Sequence, residues 1–187
     1  MKRNICLFLV FMAFVWSCEK KEEVEVGGIT EKTAEEIAAH KEFAPEFAFN
    51  SIEGNRISLS DLKGKYLYVD IWATWCRPCL QQLPAMKELE EKYRDSNIEF
   101  VSISVDNDRD KAKWQKMVQE KQMGGIQLFA GKGTSFHQDY EISSIPKFII
   151  IGKDGEIINE NPPRPMDYET GKVNQQLVSI LDNLIKE

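Results

Sequence analysis

The stretch "YVDIWATWCRPCLQQLPAM", Tyr68 to Met86, runs from an apolar segment into a helix-like one through Cys76 and Cys79, which are separated by two residues. Tyr66 to Trp72 is β-prone and nearly continuously apolar, as a strand buried on both faces should be. From Pro78 to about Arg94, Leu80, Leu83, Met86, Leu89 and Tyr93 recur at helical spacing. Pro78 stands near the first helical position, where its missing N–H is harmless, and Pro84 predicts a kink further on. A cysteine pair at such a junction can hold a metal, staple a fold or exchange electrons.

Outward from this core, the pattern alternates. On the N-terminal side, Phe47 to Phe49 and Arg56 to Leu59 read as a hairpin through Glu53-Gly54-Asn55, and Ser60-Asp61 can start one turn that Gly64 ends. On the C-terminal side, "IEFVSISV", Ile98 to Val105, predicts a second central strand. A helix capped at Asp108 or Asp110 should follow, passing through Trp114 and Val118 to about Glu120. Gln127 to Ala130 reads as a short strand, and Phe136 to Tyr140 as a short helix. Lys147 to Ile151, "KFIII", is a third strong strand, and Asp154-Gly155 turns it into Glu156 to Ile158. Residues 160–170 form a proline-rich loop, and Val173 to Ile185 an amphipathic helix. Alternating strands and helices imply an α/β fold with a mixed central sheet, helices on both faces and an N-terminal β-hairpin.

At 187 residues the chain suits one domain with a full core. Its formal charge of -6 argues against nucleic-acid binding, which favours a basic surface. "MKRN" followed by twelve apolar residues, Ile5 to Trp16, has the plan of a signal peptide. It is shorter than the roughly 20 residues that a membrane span needs. "VWSC" resembles the lipobox of bacterial lipoproteins, in which Cys18 becomes the lipid-bearing first residue. Loss of residues 1–17 removes Lys2 and Arg3, so the mature charge is -6 - 2 = -8. Residues 18–42 read as a polar tether, and 43–187 as the domain. The "KEE" behind Cys18 also resembles the export signal of Bacteroidetes-type surface lipoproteins.

With Cys6 removed and Cys18 lipidated, Cys76 and Cys79 are the mature domain's cysteines. As a staple the pair is poor, because the entropic benefit of a disulfide is only ~3 kcal/mol for a loop of about 15 residues and falls for shorter ones. As a zinc site it supplies two ligands where four are usual. Electron exchange fits better. A cysteine at a helix N-terminus can have its pKa lowered to roughly 3.5–7.5 from about 8.5, which makes Cys76 a nucleophile near neutral pH. Cys79, one turn on, can resolve a mixed disulfide formed on Cys76. Arg77 adds a positive charge, and Trp75 an apolar wall for a partner polypeptide. Asp70 is a lone acid in a core-like run, and burial would raise its pKa into the range where it exchanges protons with Cys79.

Asp70-Ile71-Trp72-Ala73-Thr74-Trp75-Cys76-Arg77-Pro78-Cys79 resembles the thioredoxin superfamily motif. "APEFAFNSIEGNRISLSDLKGKYLYVDIWATWC" and "ISSIPKFIII" are similar to the TlpA/ResA-like branch of envelope thiol–disulfide oxidoreductases. The resemblance covers most of residues 43–187. It implies a thioredoxin-like fold, a cis-proline at Pro146 facing the cysteines, and docking of an extended substrate strand on the backbone of Ile145. It also implies a redox-active Cys76–Cys79 disulfide, disulfide-bearing or dithiol protein substrates and a membrane thiol-transfer electron donor, in a lipid-anchored protein facing the periplasm or cell surface. Reduction is the common direction in that branch, and no cofactor or metal is called for.

Two departures stand out. Lys147 follows the proline where the family often has threonine, and Gln82 stands where ResA-type members carry glutamate. Two alternatives also remain. A thiol peroxidase would place serine or threonine at Ala73 and proline at Val69. A copper carrier would need His137 within bonding distance of both sulfurs.

Overall fold

A computed structural model describes residues 42–186 of the chain. The expected signal segment 1–17, Cys18 and residues 18–41 of the tether lie outside the described residues. No helix among the described residues is long and apolar enough to cross a membrane.

The elements follow the apolar patterning closely. In chain order they are β1 (Ala48–Ser51), β2 (Arg56–Ser58), β3 (Tyr66–Trp72), α1 (Arg77–Leu80), α2 (Leu83–Lys92) and β4 (Ile98–Ser104). Next come α3 (Lys111–Glu120), β5 (Ile126–Phe129), α4 (Phe136–Asp139), β6 (Lys147–Ile151), β7 (Ile157–Asn159) and α5 (Gln175–Leu184). Short 3-10 turns occupy Ser60–Leu62 and Asp108–Asp110. The helix expected from Pro78 to Arg94 is two helices, because Pro84 cannot donate to the carbonyl one turn back. The ladder breaks at Gln81–Gln82 and resumes when Met86 N–H reaches the Gln82 carbonyl at 2.9 Å. Asp110 precedes α3 without a side-chain cap, unlike the expected capping acid.

Among the described residues seven strands form one mixed sheet in the order β2-β1-β5-β4-β3-β6-β7. β3 pairs in parallel with β4, and β4 with β5; β6 and β7 add antiparallel edges on one side, and the β1–β2 hairpin on the other. Successive side chains of a strand leave opposite faces. Leu67, Val69 and Ile71 therefore join a core with Trp114, Val118 and Phe136. Tyr66 and Tyr68 join a second core with Met86, Leu89, Leu177 and Leu181. Every residue of β3 is buried, including Asp70, and helices cover both faces of the sheet.

Candidate functional site

The site forms where β3 ends. Trp72 closes the strand, the chain crosses a short loop, and Cys76 becomes the N-cap of α1. Asp106, just past β4, holds that loop: its carboxyl group accepts from Thr74 N–H at 2.9 Å, the Thr74 hydroxyl at 2.8 Å and the Ser104 hydroxyl at 2.8 Å. Asp106 is fully buried. Sequence reasoning missed it. An acid directly after an apolar strand was the available signal, but such residues usually begin a solvated loop.

Cys76 and Cys79 are joined as a disulfide, with Cα atoms 5.3 Å apart. Cys79 N–H donates to Cys76 Sγ at 3.2 Å. When the bond is reduced, this N–H faces the sulfur that must carry negative charge. The helix that Cys76 caps has only four residues, so the local N–H and the exposed Arg77 provide the nearby positive potential. Pro78, the second residue of α1, is exposed beside Arg77. Both cysteines are buried, each 4% exposed as a residue. Trp75, directly before Cys76, is 62% exposed and offers an apolar surface beside the pair.

Asp70 is buried on the face that α2 and α5 cover. Burial pushes its carboxyl up to about 7, the neighbouring Glu90 charge adds to this, and a hydrogen bond from Ser102 opposes it. Oδ1 has no hydrogen-bond partner among the described residues. Asp70 is thus a core acid and not a frayed, solvated one.

The loop before β6 completes the site. Lys147 pairs with Ile71, which places Ile145 and Pro146 at the end of β3 from which the cysteine loop departs. The Ile145–Pro146 bond is cis. Between this loop and Trp75 lies a cleft of about 440 Å³, lined by Val105, Lys132, His137, Ile142 and Ile145. His137 belongs to this wall. Among the described residues, no three His, Cys, Asp or Glu side chains gather at metal-binding spacing.

Gln82 has a structural position that its sequence did not disclose. It is 2% exposed; Nε2 donates to the Tyr168 hydroxyl at 3.0 Å, and Oε1 accepts from Met166 N–H at 2.9 Å. The amide fastens the proline-rich loop to the break between α1 and α2. A carboxylate there could accept from Met166 but could not donate to Tyr168.

A buried strand delivering a C-x-x-C pair to a helix start, level with a proline loop on the adjacent antiparallel strand, defines a thioredoxin-like protein. Residues 40–159 match the family model described as AhpC/TSA. The thiol–disulfide oxidoreductase ResA of a Bacillus cereus strain is 30% identical over 160 residues, 86% of this chain and 89% of that protein. A solution structure from Bacteroides vulgatus, of a protein assigned as a thiol–disulfide oxidoreductase, is 46% identical with a TM-score of 0.63, covering 75% of this chain and 89% of that one. A crystal structure from Chlorobium tepidum, assigned as the thiol:disulfide interchange protein DsbE, is 28% identical with a TM-score of 0.61, covering 75% and 96% respectively. The chain belongs to the AhpC/TSA family, as a TlpA/ResA-like thiol–disulfide oxidoreductase of the thioredoxin superfamily.

Proposed function

We propose that this oxidoreductase works as a reductase of protein disulfides in the cell envelope, with Cys76 as the attacking sulfur. The single observation that carries the assignment is the cap of α1, where Cys79 N–H is aimed at Cys76 Sγ and so favours thiolate on that sulfur. In the reduced enzyme the Cys76 thiolate attacks a substrate disulfide, and one substrate sulfur leaves as a thiol. Cys79 then loses its proton to Asp70 and attacks Cys76, which closes the disulfide and frees the second substrate sulfur. Two electrons pass from the enzyme dithiol to the substrate disulfide.

Trp75 and Ile145 line one cleft beside the pair, which suits an extended polypeptide laid against the Ile145 backbone next to cis-Pro146. Arg77 and Pro78 shape the exposed rim. A further dithiol donor must reduce the pair after each turnover, and a membrane thiol-transfer protein fits an enzyme anchored at Cys18. The charged start, apolar middle and "VWSC" of residues 1–18 support that anchor and a location facing the periplasm or cell surface.

Full-length Cys79→Ser, produced in a bacterial envelope and recovered with the membrane fraction, tests function and place together. It should accumulate mixed disulfides between Cys76 and envelope proteins, released by dithiothreitol and missing from the Cys76→Ser, Cys79→Ser double variant. Adducts that persist in the double variant, or adducts to cytosolic proteins alone, would overturn the proposal.

A further inference from the structure

The cleft beside the cysteine pair carries a charge pattern that its apolar walls do not require. Trp75, Val105, Ile142 and Ile145 supply the walls, and the titratable side chains that line it are Lys132 and His137. Among the described residues no carboxylate lines it. Exposed Arg77, two residues after Trp75, adds a further cation next to the redox pair. This cationic edge belongs to a chain whose mature formal charge is -6 - 2 = -8.

The backbone presents Lys132 deliberately. It stands between Gly131 and Gly133, whose φ angles of 73° and 98° lie in the left-handed region that favours glycine. A methyl group on Gly131 would also lie 2.4 Å from Asp108 Oδ1, so this bend packs tightly against the segment that follows β4. Lys132 itself is exposed. His137 is half-buried on α4, and its carbonyl accepts from Ile142 N–H at 2.9 Å, which ties α4 to the loop that carries Ile145. Lys132 and His137 also line together a neighbouring cleft of about 460 Å³.

The nearby acids are engaged elsewhere. Asp106 is buried and holds Thr74 and Ser104. Asp139 and Glu141 line a different cleft with Glu42 and Glu160. Among the described residues, ion pairs hold Lys65, Lys92, Arg94, Arg109 and Lys116, but neither Lys132 nor His137.

We propose that this cleft selects substrate polypeptides with an acidic residue close to the reacting cysteine, and that Lys132, supported by His137, is the selecting residue. The proposal deepens the reductase reading given above and rests on it. A strand laid along Ile145 advances ~3.3 Å per residue and turns alternate side chains to one side. A cleft of about 440 Å³ is roughly 8 Å across, so it spans about two substrate residues. The selected acid therefore lies within about three residues of the substrate cysteine. Its methylene groups pack on the apolar walls, and its oxygens accept from the Lys132 ammonium and an N–H of His137. The net charge makes this expectation specific. An acidic protein as a whole repels an acidic peptide, so a preference for one has to come from local cations.

The test is the rate at which the reduced protein reduces symmetric peptide disulfides that differ only in the residues flanking the cysteine: Glu, Gln or Lys. Each rate is divided by that of the same peptide with dithiothreitol, which removes differences in the peptides' own reactivity. Ratios between peptides are then compared within one protein, so a general change in redox activity cancels. Wild type should favour the Glu peptide over the Lys peptide by about fivefold at low ionic strength, with Gln between them. The ratio should shrink toward one in about 1 M salt. Lys132→Glu should invert the order, and His137→Gln should lower the ratio without inverting it. Lys132 is exposed, so its replacement leaves the core untouched. A wild-type preference for the Lys peptide, or an unchanged Glu-to-Lys ratio in Lys132→Glu, would overturn the proposal. So would oxidised glutathione, an anionic disulfide without an extended strand, outpacing the Glu peptide and losing that advantage in Lys132→Glu, because the cleft would then serve a small thiol. A wild-type protein that reduces none of the peptides would instead overturn the reductase reading beneath it.

Discussion

Asp70 illustrates how one residue can serve chemistry at the expense of stability. Its carboxyl, ordinarily near 3.8, is lifted to about 7 chiefly by burial. Between those values the folded protein holds a proton that the unfolded chain has released, so stability falls as pH rises from about 4 through about 7. Asp70→Asn removes that loss. Urea unfolding of the oxidised proteins should show the variant gaining on wild type across this window, by up to roughly 4 kcal/mol at pH 8, with no gain below about pH 4. Equal stability at pH 8 would mean that the fold does not lift the Asp70 pKa, which would leave it too weak a base to take the Cys79 proton in the resolving step. The acid was legible because it interrupts an apolar run. Its partner Ser102 was not, since serine is ordinary in strands and only the register sets it beside Asp70.

At the scale of elements, the site depends on a loop and a helix break that local patterning describes unevenly. Strands and helices with strong periodicity, β3, β4, β6 and α5, stand close to where their apolar residues predict them. Pro84 announced an irregularity, but not that the helix would divide, nor that Gln82 at the break would anchor Met166 and Tyr168 some 84 and 86 residues on. Such long-range hydrogen bonds leave no trace in local spacing. The loop before Cys76 likewise depends on Asp106, 32 residues from its partner Thr74. Hydrogen bonds to a buried carboxyl group are among the stronger individual contributions to stability. Asp106→Ala should lower the free energy of unfolding by about 3 kcal/mol and slow disulfide exchange as the Thr74–Trp75 segment loosens. A loss below about 0.5 kcal/mol with unchanged exchange would show that the loop holds itself.

For the whole molecule, the sheet order explains why the chemistry gathers at one end. β3 and β6 are antiparallel neighbours, so the chain leaving β3 with Cys76 and the chain entering β6 from Pro146 meet at the same edge. Trp75 and Ile145 then bound one cleft, with the cysteine pair next to Trp75. Composition and element order conveyed the α/β class, whereas the attachment of the β1–β2 hairpin beside β5 is a long-range pairing visible only in the fold. The most direct measurement of the central claim is the reduction potential of the Cys76–Cys79 pair, obtained by equilibrating the protein with thiol–disulfide buffers and counting free thiols. The account predicts a single two-electron transition near about -270 mV, as suits a reductase, whereas a transition near about -120 mV, or a pair that does not titrate reversibly, would contradict it.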